Sequence, residues 1–211
     1  MEKELRQIRN QFSEQQVVVQ QCGIGKVNAA IGTMEMIREH HPDMIISTGC
    51  AGGHGDDIHV QDVVVSTELC YHDVYCGTAI GQSVYGQVHG MPPRFPADPK
   101  MLDIARSLNT DFSPLIHQGL IVTGDWFVDS KEKMREIIGH FPEAKAVDME
   151  STAIAHTCYR MEVPFISFRI ISDIPLQDTD ASMYHDFWDR IAENSFHVTS
   201  HYLEQLLRLK P

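Results

Sequence analysis

The sequence predicts an α/β domain built around one largely parallel or mixed β-sheet. Strand-like and helix-like segments alternate along the 211 residues, the pattern of a sheet covered by helices. The segment "VPFISFRIISD" is an almost continuous apolar run, which a strand buried on both faces requires. The stretch from Tyr184 to Leu207 is amphipathic and reads as a long closing helix.

The elements follow in order. "MEKELRQIRNQF" sets Leu5, Ile8 and Phe12 at helical spacing, and the β-branched "QQVVVQQ" reads as a short strand before the loop "CGIGK". Helix is expected from about Val27 to His40, where Pro42 stops it, and "DMIISTG" is a strand running into the glycine-rich "GCAGG". "HVQDVVVSTELCYHD" has strand character. The stretch from Tyr75 to Arg94 is rich in Gly, Tyr, Gln and Pro, with no clear period, and reads as a long connection. A helix near Pro99 to Leu108, the strand "QGLIVTGD", the helix "SKEKMREIIGHF" and the strand "KAVDME" come next, the last entering the helix "STAIAHTCYR" ahead of the apolar run.

With 43% hydrophobic residues and no Ser/Gly/Pro linker, residues 1–211 are read as one domain with a sizeable core. The excess of 29 acids over 17 bases gives a formal charge of −12, which repels nucleic-acid phosphates and anionic membranes. The charged start and the lack of a long apolar run predict a cytoplasmic protein without a membrane span or secretory signal. Cys22, Cys50, Cys70, Cys76 and Cys158 form no CxxC pair and are expected to be buried thiols; the 12 histidines form no HExxH or comparable cluster, so no metal is expected. "GIGKV" has neither P-loop spacing nor the third glycine of a dinucleotide fingerprint, and no cofactor is expected.

Chemistry is expected beyond the carboxyl ends of the strands. Four ends stand out: "STGCAGG", "VTGDWF", "AVDMES" and "RIISD". They converge if the sheet is parallel there. Gly49, Gly52 and Gly53 either admit close approach of a ligand or mark a tight turn. Asp148, Glu150 and Asp173 are the acids at these ends, and ionised carboxylates resist burial unless paired or bound. If the strand stays extended through Glu150, Asp148 and Glu150 share a face; if it turns between them, they diverge. Taken singly, Glu150 fits a helix N-terminus and Asp173 a cap before Pro175. Their occurrence together with the glycines favours a site.

The stretches "GIGKVNAA", "PDMIISTGCAGG", "VVVSTELCYHD", "YGQV", "GLIVTGDWFV", "AVDMESTAIAH" and "VPFISFRIISD" occur in the order found in one family. Together they resemble the nucleoside phosphorylase/nucleosidase superfamily, most closely its bacterial 5′-methylthioadenosine/S-adenosylhomocysteine nucleosidases. The resemblance implies a three-layer α/β/α domain with a central mixed sheet. It also implies hydrolysis of the N-glycosidic bond of an adenine thionucleoside to adenine and a thioribose. By likeness, Asp173 is the general acid toward adenine N7, with a pKa expected to rise in the bound complex, and Glu4 the water activator. Glu150 would hold the ribose hydroxyls with Met149 beside the sugar, Phe127 would stack on the purine and Val128 would hold it through its backbone. Ile24, Cys50, Ala51, Gly52, Asp148 and Ser172 are the other substrate-binding positions implied.

The same likeness implies a homodimer in which the neighbour's loop, here around Ile80 to Met91 with Tyr85 and Val88, closes the alkylthio pocket. The chain departs from the family at Cys50, usually serine, and at His89, often proline. Relative to the family, the N-terminus is expected to be shortened, without the first strand and a following strand pair. Phosphorolysis of purine nucleosides, hydrolysis of futalosine and non-catalytic binding of an adenine nucleoside remain the alternatives; against phosphorolysis, Arg94 and Arg169 lie outside the glycine loops.

Overall fold

The computed structural model describes residues 9–13, 16–78, 81, 83–108, 115–177 and 192–208. Over these residues the chain forms α1 (Lys26–His40), β1 (Ile45–Gly53), β2 (Val63–Tyr71), β3 (Phe95–Pro96), α2 (Pro99–Ser107), β4 (Ile116–Thr123), α3 (Lys131–His140), β5 (Ala144–Asp148), α4 (Ser151–Met161), β6 (Phe165–Asp173) and α5 (Ala192–Arg208). The helix boundaries follow local chemistry. Asp98 accepts from Met101 N at 3.0 Å with Pro99 in the first turn of α2, and Ser130 accepts from Lys133 N at 3.2 Å to start α3. α1 ends at His41 in the left-handed region (φ 46°), just before Pro42.

The strands lie in the order β3-β2-β4-β5-β1-β6, and β6 also folds back onto β2, pairing Val63 with Ile170 and Val65 with Phe168. β2, β4 and β5 run parallel to one another, as do β1 and β6. The two groups meet at β1 and β5, which pair antiparallel through Gly52 with Val147 and Gly53 with Ala146. The strand ends therefore converge without a wholly parallel sheet, because this antiparallel contact joins the last residues of β1 to the end of β5.

Alternating side chains separate the layers. Val63, Val65, Ile166, Phe168 and Ile170 pack toward α2 and α5, while Val64, Phe165 and Ile171 pack with Ala29 of α1 and Ala153, Ile154 and Cys158 of α4. Leu120, Val122 and Val147 meet Met134 and Ile137 of α3. Tyr202 of α5 is fully buried with its ring 4.6 Å from that of Phe168, and its hydroxyl donates to Met101 O at 2.9 Å. Among the described residues no helix is long and apolar enough to cross a membrane.

Several expectations need correction. Residues 16–21 of the expected strand "QQVVVQQ" form no strand, and Gln15 lies outside the described residues; Val17, Val18 and Val19 instead border a cavity of about 350 Å³ between α1, the start of β1 and α5. Their β-branched composition expresses fit to a pleated surface, which a segment outside the ladder does not have. The glycine-rich stretch is the end of β1 itself rather than a loop. Only Cys70 and Cys158 are fully buried, each pushed by burial up to about 12, whereas Cys22, Cys50 and Cys76 are half-buried. The proposed first helix is described only from residue 9, and residues 178–191, including the expected start of the closing helix, lie outside the described residues.

His72, just after β2, is buried with neither ring nitrogen hydrogen-bonded. A Cβ on Gly124 would lie 2.3 Å from its ring. Burial holds its pKa below that of an exposed histidine. The unfolded chain therefore takes up a proton first as pH falls, so stability is full above about pH 6.5 and declines below it. Urea unfolding across this range is expected to show that decline, with His72→Leu reducing its slope.

Candidate active site

The site begins where β5 stops. Asp148 is its last residue and turns inward. It accepts from Thr123 Oγ1 and Arg169 Nε, each at 2.5 Å, from Ser151 Oγ, and from Ser151 N at 3.2 Å. Arg169 Nη2 donates to Ser47 Oγ at 3.0 Å, and Ser151 and Ser167 hydroxyls lie 2.7 Å apart. Side-chain exposures of 3% for Arg169 and 1% for Asp148 mark a fully desolvated ion pair. Asp148 therefore also caps α4.

Glu150 behaves differently. It occupies the position before α4 but makes no side-chain cap; its Oε1 accepts from Gly25 N at 3.0 Å. Burial raises its pKa, the charge of Asp148 raises it further, and Arg169 and the Gly25 N–H oppose the rise. The strand turns between the two acids and their side chains diverge, one into the core and the other toward α1.

β1 and β6 supply the opposite wall. A Cβ on Gly49 would lie 2.7 Å from Arg169 Nη1, so glycine is what allows the guanidinium to lie against this strand. A Cβ on Gly52 would meet Pro175 Cγ at 3.2 Å and Asp173 Oδ2 at 3.5 Å. Asp173 ends β6 opposite Gly52. Ser172 Oγ donates to Asp173 Oδ1 at 2.6 Å, with Ala51 O also near it at 3.3 Å.

These ends enclose a cavity of about 170 Å³. Asp173, Glu150, Met149, Asp148, Phe127, Val128, Ile24, Cys50, Ala51, Gly52 and Ser172 all line it, so the structure gathers every predicted site residue except Glu4, which lies outside the described residues. Phe127 is 49% exposed where it lines the cavity. Trp126 and Arg169 also line the cavity and are additions to the sequence reading. Lys133 Nζ sits 4.6 Å from the Trp126 ring centroid. Although Arg169 lies far in sequence from the glycines, it is beside Gly49 in space. Its signal was a single charge inside an apolar strand, which requires a buried partner.

The model of the phosphorylase superfamily matches residues 2–204. A 5′-methylthioadenosine/S-adenosylhomocysteine nucleosidase from Exiguobacterium sp. is 41% identical, over 92% of this chain and 91% of that protein. The chain belongs to this nucleosidase family, a family of N-glycosyl hydrolases within the phosphorylase superfamily. The family fold extends across the chain. The Neisseria meningitidis nucleosidase in complex with methylthio-immucillin-A superposes with a TM-score of 0.86 at 37% identity, covering 97% of this chain and 95% of the other. The Streptococcus pneumoniae nucleosidase with the transition-state inhibitor MT-ImmA gives 0.86 at 31% identity, covering 98% and 96%.

The buried ion pair in this nucleosidase fold makes a direct prediction. Arg169→Met leaves the Asp148 carboxylate uncompensated and is expected to cost about 3–5 kcal/mol of stability. Urea denaturation checks this; a midpoint equal to that of the parent would remove the pair from its central role.

Proposed function

We propose that this chain is a cytoplasmic homodimeric nucleosidase that hydrolyses the N-glycosidic bonds of 5′-methylthioadenosine and S-adenosylhomocysteine, returning adenine and a thioribose for methionine salvage. The observation that carries the reading is the opening of two carboxylates, Asp173 and Glu150, onto one cavity beside the exposed Phe127 ring. The names of the relatives and the inhibitors bound by the solved nucleosidases support the same substrate class.

Adenine is a poor leaving group as an anion. Asp173 delivers a proton to its N7 as the C–N bond stretches, and the Ser172 hydroxyl on Oδ1 orients the carboxyl for that transfer. The ribose becomes oxocarbenium-like; Glu150 accepts from its hydroxyls and places negative charge near the cation. The Gly25 N–H and Arg169 favour the ionised form of Glu150 against its burial. Met149 packs beside the sugar, Phe127 stacks on the purine, Val128 contributes backbone contacts, and Glu4 activates the water. No cofactor enters this scheme.

Hydrolysis is favoured over phosphorolysis because the cavity's arginine is already engaged: Arg169 is held by Asp148 and Ser47. Arg94 binds Glu68 and Glu143 instead.

The dimer reading draws on apolar exposure beside the site. Ile24, Val27 and Ile31 are 61%, 68% and 53% exposed, and Ile24 also borders the cavity. Tyr85, Val88 and Met91 pack onto this chain's own core, while Val84 remains exposed in the loop assigned to the neighbour's pocket. Ile80 lies outside the described residues. Light scattering is expected to give a dimer, and Val27→Asp to shift it toward monomer; a monomeric active parent protein would reject this assembly.

Adenine release from 5′-methylthioadenosine is expected without phosphate and unchanged by adding it. Asp173→Asn is expected to lower turnover by about 10²–10⁴-fold while retaining the parent's unfolding midpoint. A strict phosphate requirement would replace hydrolysis with phosphorolysis, and a folded, fully active Asp173→Asn protein would remove the general acid.

A further inference from the structure

The amino end of α1 lies against Glu150, but nothing in its own sequence caps it: Gly25 provides no side chain to do so. Two carboxylates from distant segments take its first N–H groups. Gly25 N donates to Glu150 Oε1 at 3.0 Å, and Lys26 N donates to Asp125 Oδ1 at 2.7 Å. Lys26 then reaches outward. Its Nζ donates to Asp73 Oδ1 and Oδ2 at 2.8 and 2.7 Å and lies 3.7 Å from Asp125 Oδ2; Asp125 N closes the set by donating to Asp73 Oδ2 at 2.8 Å. Three segments are thereby tied together: the start of α1, the residues after β2 and the loop that carries Phe127.

We propose that Lys26, Asp73 and Asp125 form a clasp that positions Glu150 for the ribose by seating the Gly25 N–H against its carboxylate. This inference rests on the reading of Glu150 as the residue that holds the ribose hydroxyls. None of the three clasp side chains borders the cavity, so their action is through Gly25. Its backbone is in the left-handed region (φ +87°), and a Cβ there would lie 2.9 Å from Asp125 Oδ1. Glycine thus permits both the turn and the close approach of the aspartate. The amino end of a helix favours negative charge, which makes a seated α1 a source of both a hydrogen bond and positive potential for Glu150.

The other charged or titratable groups facing Glu150 are Asp148, Arg169 and Cys22, with Asp173 across the same cavity. They remain in place when the clasp is altered. Releasing α1 removes an influence that favours ionised Glu150, so its carboxyl takes up a proton at higher pH. The ribose contact weakens with it.

The test compares the parent protein with Lys26→Met, Lys26→Arg, Asp125→Asn and Glu150→Gln, measuring adenine release from 5′-methylthioadenosine against pH and exchange of the Gly25 amide. Lys26→Met is expected to raise KM roughly tenfold with a smaller change in kcat. It is also expected to move the acid limb of kcat/KM to higher pH and speed Gly25 exchange, whereas Lys26→Arg keeps the parent behaviour. Asp125→Asn gives the same signature as Lys26→Met if the latter fails to fold. Parent-like KM, pH profile and Gly25 exchange in the folded Lys26→Met or Asp125→Asn protein overturn the clasp. Parent-like turnover in Glu150→Gln overturns the ribose role, while Gly25 exchange still reports on the clasp independently of activity.

Discussion

The Arg169–Asp148 pair is the constraint on which the site depends. Both charges are removed from water, a cost that their mutual attraction offsets only with close geometry and further hydrogen bonds. Those bonds come from Ser47 on β1, Thr123 on β4 and Ser151 at the start of α4. With Asp148 on β5 and Arg169 on β6, five elements must meet at fixed separations for the pair to be satisfied. The identity of Gly49 follows from the same requirement, because a side chain there would intrude on the guanidinium. The pair therefore specifies geometry more than it contributes net stability.

That geometry separates two acids only two residues apart. Asp148 is saturated with donors in the interior, whereas Glu150 takes the Gly25 N–H at the amino end of α1 and opens onto the cavity. The first acid acts on its neighbour's titration, pushing the Glu150 carboxyl up while Arg169 draws it down. A saturated interior carboxylate and a cavity-facing one thus arise from a single turn at the end of β5. Asp173 enters from another strand, with the Ser172 hydroxyl on one oxygen. Unequal surroundings thus distinguish otherwise similar side chains.

Much of this was legible in the sequence because local and long-range preferences agree. The apolar run ending in Asp173 is β6, the Pro99 and Lys131 helices start at caps that the sequence contains, and α1 ends before Pro42. The acids and glycines at the strand ends also identified the cavity. Tertiary partners decided the rest. Residues 16–21 have strand composition without a place in the ladder, and the antiparallel meeting of β1 with β5 leaves no mark on either segment's periodicity. Arg169 looked remote because sequence distance says nothing about two strands lying side by side. Nor does any local pattern show that Asp125 and Glu150 serve the amino end of α1 across 99 and 125 residues.

The open side of the cavity follows a different rule from its floor. The floor is polar and buried, so its groups are satisfied within the chain; the rim carries Ile24, Trp126 and Phe127, apolar side chains left more than one third exposed. Exposed apolar residues are ordinary when scattered. Here they border one cavity, with Val27 and Ile31 continuing the exposed apolar face along α1. The rim surrounds a concave opening, whereas the α1 face extends along a helix. The exposed apolar surface therefore has two parts, one at the mouth of the cavity and one along α1, and Ile24 is where they meet. Because Ile24 directly precedes the glycine that bonds Glu150, the exposed face of α1 and the Glu150 carboxylate share the same short piece of backbone.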